Sequence, residues 1–368
     1  LVKVSGVVTP TKAMRLPPRT NTLTELRIIN NKSNPAFKIA WLIPILLFPV
    51  LGGLVYLVFG SDRTGKYIRN KMGRIEKEMQ DGISKANERS GIEKMPPDVV
   101  NQSHYISNSA HCPPYKNTTV EYLPMGEVKF ERMVQELKKA KRYIFMEYFI
   151  IQEGTMWNTI LDVLEEKAKE GVDVRVIYDD MGCILTLPTG YEKTLREKGI
   201  QCQIFNPFIP ILSSHFNTRD HRKICVIDGN VGFTGGINLA DEYINGYEKH
   251  GHWKDTAILL KGEAVFSLTT MFLSMWDYLI KKEGEDYAAY YPDSWDENAQ
   301  GIVQPFADNP LDDEAVGETV YLNLINKAKR YVYITTPYLI LSNEMVTAMN
   351  TAAKSGVDGQ MRHRLRNC

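Results

Sequence analysis

The sequence lacks an excess of charge of either sign: 44 basic residues stand against 44 acidic ones. A chain held to nucleic acid by bulk electrostatics carries a basic surplus, so no nucleic-acid partner is expected, although a local basic patch is still allowed. Cysteine is sparse as well. Cys112, Cys183, Cys202, Cys225 and Cys368 are scattered, without a C-x-x-C pair, which points to neither a zinc site nor a disulfide framework. No metal or cofactor is expected. A nucleotide-binding loop is also missing: Gly60 to Lys66 fits G-x4-G-K, but Tyr67 stands where Ser or Thr would hold magnesium. Residues 1–22 have neither helical nor strand periodicity, and Pro17-Pro18 breaks what pattern there is. Within an N-terminal lead of residues 1–38 they read as disordered or as a fragment edge.

Long uncharged runs are rare too, with one exception. From Ile39 to Gly60 there is no charged residue. At 1.5 Å per residue the run reaches about 33 Å, enough for the hydrocarbon core of a bilayer. Trp41 and Tyr56 lie near its ends, where aromatic belts form, and Pro44, Pro49 and Gly52-Gly53 are better tolerated in lipid than in water. The sequence therefore predicts one transmembrane helix over 39–60. More positive residues follow the run (Arg63, Lys66, Arg69, Lys71, Arg74) than precede it (Arg27, Lys32, Lys38), which puts the C-terminal side in the cytoplasm. Residues 61–119 read as a juxtamembrane helix over 71–93 and a polar linker.

From residue 120 to 304 helical and strand patterns alternate, as in an α/β sandwich. Helices are expected over 128–140, 156–170 and 191–198, and strands over 143–151, 174–178 and 203–205. Glu147 falls inside the first of these strands, where an unpaired carboxylate is costly to bury. It either belongs to a site or is paired with a base, and the site is the favoured reading. The most informative stretch is His221 to Asn238. His221 and Lys223 lead into the apolar Cys225-Val226-Ile227, and residues two apart on a strand share a face, so both side chains can address one ligand. Asp228-Gly229-Asn230 turns the chain, Val231 to Phe233 returns it, and Gly235-Gly236 lets bare backbone approach a ligand closely. Phe272 and Trp276, four apart on a later helix, are expected in the core.

The chain also repeats itself. Ala140-Lys141-Arg142-Tyr143 recurs as Ala328-Lys329-Arg330-Tyr331, and Gly171-Val172-Asp173 as Gly356-Val357-Asp358. Residues 305–358 thus begin a second copy of the module. Its counterpart of His221 is expected about fifty residues beyond Gly356, past the last residue. Residues 359–368, with glycine and alternating arginines, make a poor buried strand and read as an aberrant, frameshifted or foreign tail.

The pattern H-x-K-x4-D followed by G-G-x-N, carried by His221, Lys223, Asp228, Gly235, Gly236 and Asn238, resembles the phospholipase D superfamily signature. Within it, the layout looks like a bacterial cardiolipin synthase. Support comes from Ser33-Asn34-Pro35, Gly52-Gly53, Tyr148-Phe149, Asn217-x-Arg219-Asp220 and Thr336-Pro337-Tyr338, and the resemblance covers roughly residues 26–358. Such proteins carry two N-terminal membrane helices and two H-x-K-x4-D motifs. With one of each here, both ends look truncated.

The resemblance implies a phospholipase D-like α/β sandwich in the bacterial inner membrane. Its substrate would be phosphatidylglycerol drawn from the surrounding membrane lipid, and its activity transfer of a phosphatidyl group between two such molecules, giving cardiolipin and glycerol. His221 would attack phosphorus to form a phosphohistidine. Lys223 and Asn238 would hold the phosphoryl oxygens with Gly236 and Glu147 close by, and Asp228 would support a histidine from behind. A second motif, from a missing C-terminal half or from another chain, would protonate the leaving alcohol. The alternatives are a phosphodiester hydrolase of the same superfamily and a non-catalytic membrane-anchored fragment. Little or no activity is expected of one motif alone.

Overall fold

The computed structural model describes residues 22–30, 35–56, 91–207, 219–249, 251–282, 285–308, 314–336 and 339–363. The lead before Thr22, residues 57–66 with the G-x4-G-K match, most of the expected juxtamembrane helix and the last five residues lie outside the described residues. The chain divides into two units: Leu1–Lys66 with Ile211–Ser214, and Tyr67–Pro210 with His215–Cys368.

The first unit holds α1 (Thr22–Asn30), α2 (Pro35–Leu47) and α3 (Pro49–Val55). The apolar run is therefore not the single straight helix that its composition predicts. Phe48 has φ −131° and ψ 76°, outside the helical region, and Pro49 brings no N–H to continue the ladder. The chain folds back there. A Cβ added to Gly52 would lie 2.5 Å from the Pro44 carbonyl oxygen, and the Trp41 and Tyr56 rings meet edge to face at 5.3 Å. In one straight helix those two residues would stand about 22 Å apart. Among the described residues no helix is long and apolar enough to cross a membrane. Leu47, Phe48, Val50, Leu51 and Leu54 are exposed around the bend.

Among its described residues the second unit holds, after a short 3-10 helix at Ile92–Lys94, α4 (Pro97–Ser109), a helix inside the stretch expected to be linker, and β1 (Thr118–Leu123). Then follow α5 (Gly126–Leu137), β2 (Tyr143–Tyr148), α6 (Thr155–Lys169), β3 (Asp173–Asp179), α7 (Asp180–Cys183), α8 (Tyr191–Glu197), β4 (Gln201–Phe205), β5 (Lys223–Ile227), β6 (Val231–Gly235), β7 (Ala257–Gly262) and α9 (Val265–Ile280). Seven strands form one sheet in the order β1-β7-β6-β5-β2-β3-β4. The β2, β3 and β4 strands run parallel, while β5 is antiparallel to β2 and to β6. Ile144, Met146 and Tyr148 face α5 and α6 with Trp157 and Leu164. Tyr143, Phe145, Ile224 and Val226 face α9, where Phe145 stacks on Phe272 and Phe272 on Trp276. Because both faces are covered, β2 is buried along its whole length, which is why it reads as an apolar run.

Two strands escaped the sequence pattern. β7 is a short apolar stretch directly before α9 and cannot be told from the start of that helix by periodicity. β1 is an edge strand with Val120 and Tyr122 exposed.

The second copy holds α10 (Val316–Lys327), β8 (Tyr331–Thr336), α11 (Asn343–Lys354) and β9 (Asp358–His363). It reproduces the β2-α6-β3 unit residue for residue at the join. Tyr143 pairs with Asp173, and Tyr331 with Asp358. In both copies the aspartate N–H donates to the carbonyl of the arginine before the strand, Arg142 or Arg330, at 3.0 Å. Residues 359–363, expected to be an aberrant tail, are thus part of a paired strand, although β8 alternates between exposed and half-buried residues and β9 is largely exposed. Backbone pairing needs no apolar side chains, so a sequence unsuited to a buried strand still pairs here.

Candidate active site

The site lies where the carboxyl ends of β2 and β3 meet the start of β5, the usual place for a ligand in a parallel α/β layer. Two buried carboxylates build the approach to it. Asp179, at the end of β3 and fully buried, accepts from the Gly182 N–H at 3.0 Å and from the Asp220 N–H at 3.0 Å, and its carboxylate lies 3.5 Å from Arg219. Asp220 in turn accepts from the Arg222 N–H and Nε. These bonds fix the backbone on both sides of His221.

His221 is exposed, two residues before the start of β5, with its ring centroid 4.8 Å from that of Phe149. Lys223, the first residue of β5, is buried; its Nζ lies 5.3 Å from the same Phe149 ring and donates to the His221 carbonyl at 2.5 Å. The two side chains expected to address one ligand are thus brought together on one aromatic ring. Burial pulls the Lys223 ammonium down to about 8, opposed by the charges of Asp220, Asp255 and Asp179. Burial, and then the positive charge of Lys223, hold His221 below its ordinary value. An imidazole beside an ammonium can offer a nucleophile next to an anion holder.

Three expected site residues have other work. Asp228 lies at the far end of β5 from Lys223, in the left-handed conformation (φ 53°). Its carboxylate accepts from the backbone N–H groups of Lys141, Arg142 and Tyr143 at 2.7–2.9 Å. Asp228 therefore fastens the hairpin to the start of β2 rather than supporting a histidine. The five residues of β5 set it about 16 Å from the pair. Glu147 faces α9, on the opposite side of the sheet from Lys223, and is completely buried 2.6 Å from the Arg222 guanidinium. Burial raises its carboxyl well above the usual range, and Asp220 adds to the rise. It is the partner of a base, not a phosphate contact.

Asn238 is buried; its Oδ1 accepts from the Ile150 N–H at 3.1 Å and its Nδ2 donates to the Tyr243 hydroxyl at 2.7 Å. It pins the loop after β6 to the end of β2 and keeps at most one N–H for a phosphoryl oxygen. Gly236 is exposed beside Asp255: a Cβ there would lie 2.2 Å from the Asp255 carboxylate, and its own N–H is spent on the Thr256 carbonyl.

Two further residues emerge from the fold. Asp255 places a negative charge near both Lys223 and Lys129. Lys129, on α5, is fully buried; its Nζ donates to the Ile237 carbonyl at 2.8 Å and lies 4.8 Å from the Tyr148 ring. A signal for it existed: Lys129, Met133 and Leu137 are four apart and share the buried stripe of α5.

The fold and the paired His221 and Lys223 define a phospholipase D-like domain, and comparison with known proteins agrees. Residues 133–276 match the family described as cardiolipin synthase, PLD-like domain, and residues 26–61 the phospholipase D-nuclease N-terminal family. An uncharacterized protein of Streptococcus mutans is 45% identical over 90% of this chain and 72% of its own length. A cardiolipin synthase of Geobacillus thermodenitrificans is 36% identical over 88% of this chain and 65% of its own. That of Listeria monocytogenes is 30% identical over 87% of this chain and 67% of its own. Among solved structures, phosphatidylserine synthase of Haemophilus influenzae shares the fold with a TM-score of 0.50 at 14% identity, covering 71% of this chain and 65% of that one. The chain belongs to the bacterial cardiolipin synthases of the phospholipase D superfamily. It spans about two thirds of the length of the curated cardiolipin synthases it matches.

Proposed function

We propose that the chain provides the His221–Lys223 half of a phosphatidyltransferase centre that makes cardiolipin from two molecules of phosphatidylglycerol. The observation that carries this is the exposed His221 held beside Lys223 on the Phe149 ring. A ring nitrogen of His221 attacks phosphorus, the P–O bond to the terminal glycerol breaks, and glycerol leaves with a proton. Lys223 holds a non-bridging oxygen as charge develops on it. In the second half-reaction the hydroxyl of another phosphatidylglycerol attacks, the P–N bond breaks, and the acceptor's proton is taken up. The acid and base for these proton steps belong to a second motif, from the remainder of the protein or from another chain. The apolar segment 39–60 would anchor the protein in the bacterial inner membrane, with the α/β unit on the cytoplasmic side.

A second reading has one observation in its favour. His221 is open to solvent, so water could serve as acceptor and release phosphatidic acid. Labelled phosphatidylglycerol decides between the two. With the second motif supplied, labelled cardiolipin and glycerol are expected, lost in His221→Ala; phosphatidic acid without cardiolipin would turn the assignment to a hydrolase.

A further inference from the structure

His221 stands at the centre of a tight turn. The Asp220 Oδ1 accepts from the Arg222 N–H at 3.2 Å and from the Arg222 Nε at 3.1 Å, so one aspartate closes the chain around the histidine as an Asx turn. The other oxygen, Oδ2, is buried and meets no donor among the described residues. The same holds for Glu147. It is completely buried on β2, opposite Ile224 in the ladder and so on the face that carries Arg222. Arg222 Nη2 approaches its Oε1 to 2.6 Å without the alignment of a hydrogen bond, and neither Glu147 oxygen meets a donor.

The charges do not balance either. Arg222 lies between two buried carboxyls, and one guanidinium offsets one carboxylate. Neighbouring charges are engaged elsewhere. Asp179, from β3, accepts from the Asp220 N–H and lies 3.5 Å from Arg219. The Lys223 charge reaches Asp220, but Lys223 points to the opposite face of the sheet from Glu147. On α9, which covers Glu147, the one carboxyl is Asp277, and it accepts from the Tyr287 hydroxyl at 2.9 Å. A second carboxylate beside Arg222 would be buried without a partner, which costs far more than a neutral acid.

One proton answers both deficits. Placed on Glu147 and donated to the Asp220 Oδ2, it gives each carboxyl a partner and leaves one carboxylate for one guanidinium. The two carboxyls lie within hydrogen-bonding reach of each other. Burial raises Glu147 well above the usual carboxyl range. At Asp220 burial is outweighed by the Arg222 charge and the bond from Glu147, so that carboxyl stays below its ordinary value. The proton therefore sits on Glu147.

We propose that Glu147 is a positioning residue: a neutral acid on β2 that donates its proton to Asp220 and so locks the turn that presents His221. This rests on the reading of His221 as the group that meets phosphorus. Glu147 touches no substrate and acts through Asp220. Without its donor the Oδ2 is left buried and unpaired, and the aspartate gains by turning towards another donor at the expense of the Arg222 N–H.

Infrared spectroscopy of the full chain in phosphatidylcholine nanodiscs reads the proton directly. At neutral pH, where a glutamate in water is ionised, a carboxylic-acid C=O band is expected that moves on carbon-13 labelling of glutamate and is lost in Glu147→Gln. A wild type that matches Glu147→Gln in this band would overturn the shared proton. The ring resonances of His221, assigned by their loss in His221→Ala, read the positioning. Glu147→Gln keeps a donor and an acceptor and should leave them in place. Glu147→Leu keeps neither and should shift or broaden them; if circular dichroism shows that it does not fold, Glu147→Asp, which keeps the acid but not its reach, should do the same. With the second motif supplied, phosphatidyl transfer per folded molecule should fall about a hundredfold in that variant. Resonances and transfer that match the wild type in the folded variant would overturn the positioning role. The infrared band should persist in His221→Ala, so a band that holds there while transfer also survives would sink the catalytic assignment alone.

Discussion

Lys129 and Lys223 sit in the same part of the fold, and neither keeps its full hydration. Lys129 is the more extreme: complete burial pulls it down to about 7, against the raising charge of Asp255. Its ordinary value of about 10.5 holds in the unfolded chain. The folded state therefore bears a penalty that is fully present below pH 7 and is relieved as pH rises from 7 towards 10.5. In that window the unfolded chain binds more protons, so this group makes stability climb with pH, by up to about 1.4 kcal/mol per pH unit. Lys129→Met should remove the climb. Denaturant unfolding at pH 7 and pH 9 is expected to show the wild type gaining stability relative to the variant; parallel changes in both would contradict the burial argument. Individual residues were legible where chemistry is local and illegible where it depends on a distant partner. The two-residue spacing of His221 and Lys223 was enough to bring them together. Nothing local distinguishes Asp228, which meets the backbone of residues 141–143, from a catalytic carboxylate, nor reveals that Glu147 would find Arg222.

The β5–β6 hairpin is the element on which the signature depends, and Asp228 is what ties it to the sheet. Three backbone N–H groups of the β2 approach converge on its carboxylate. Removing a charged acceptor shared by several donors costs about 2–3 kcal/mol, moderated where water can replace it. Asp228→Ala is expected to lower the unfolding free energy by that amount while leaving the His221 NMR titration unchanged. A large change in the His221 titration with stability intact would instead return Asp228 to the site. The other element that differs from its pattern is the apolar segment before the α/β unit. Its composition was plain, but the sharp bend at Phe48 depends on a backbone conformation that hydropathy does not encode; Pro44, Pro49 and Gly52-Gly53 were the available hints. Short β7 was hidden for a related reason, since a six-residue apolar strand directly before a long apolar helix has no period of its own.

At the scale of the molecule, a seven-stranded sheet whose central strands are covered on both faces presents a histidine–lysine pair at the strand ends, and a second β-α-β unit repeats the register of the first. The alternating order of elements was readable because each strand buried on both faces must be nearly all apolar and each covering helix only half so. The antiparallel insertion of β5 beside β2 was not, because strand order depends on long-range pairing. The account stands on His221 acting as the phosphorus nucleophile, and one substrate isolates that step: a phosphatidyl p-nitrophenyl diester, whose leaving group needs no proton from a second motif. The P–O bond to nitrophenol should break as the P–N bond forms, with nitrophenolate leaving on its own electron pair. The full chain is expected to release about one equivalent of nitrophenolate in a burst. It should also retain the phosphatidyl group on the peptide containing His221, in an acid-labile, base-stable linkage that is absent in His221→Ala. A wild-type chain that gives no burst, or a burst that persists in His221→Ala, would contradict it.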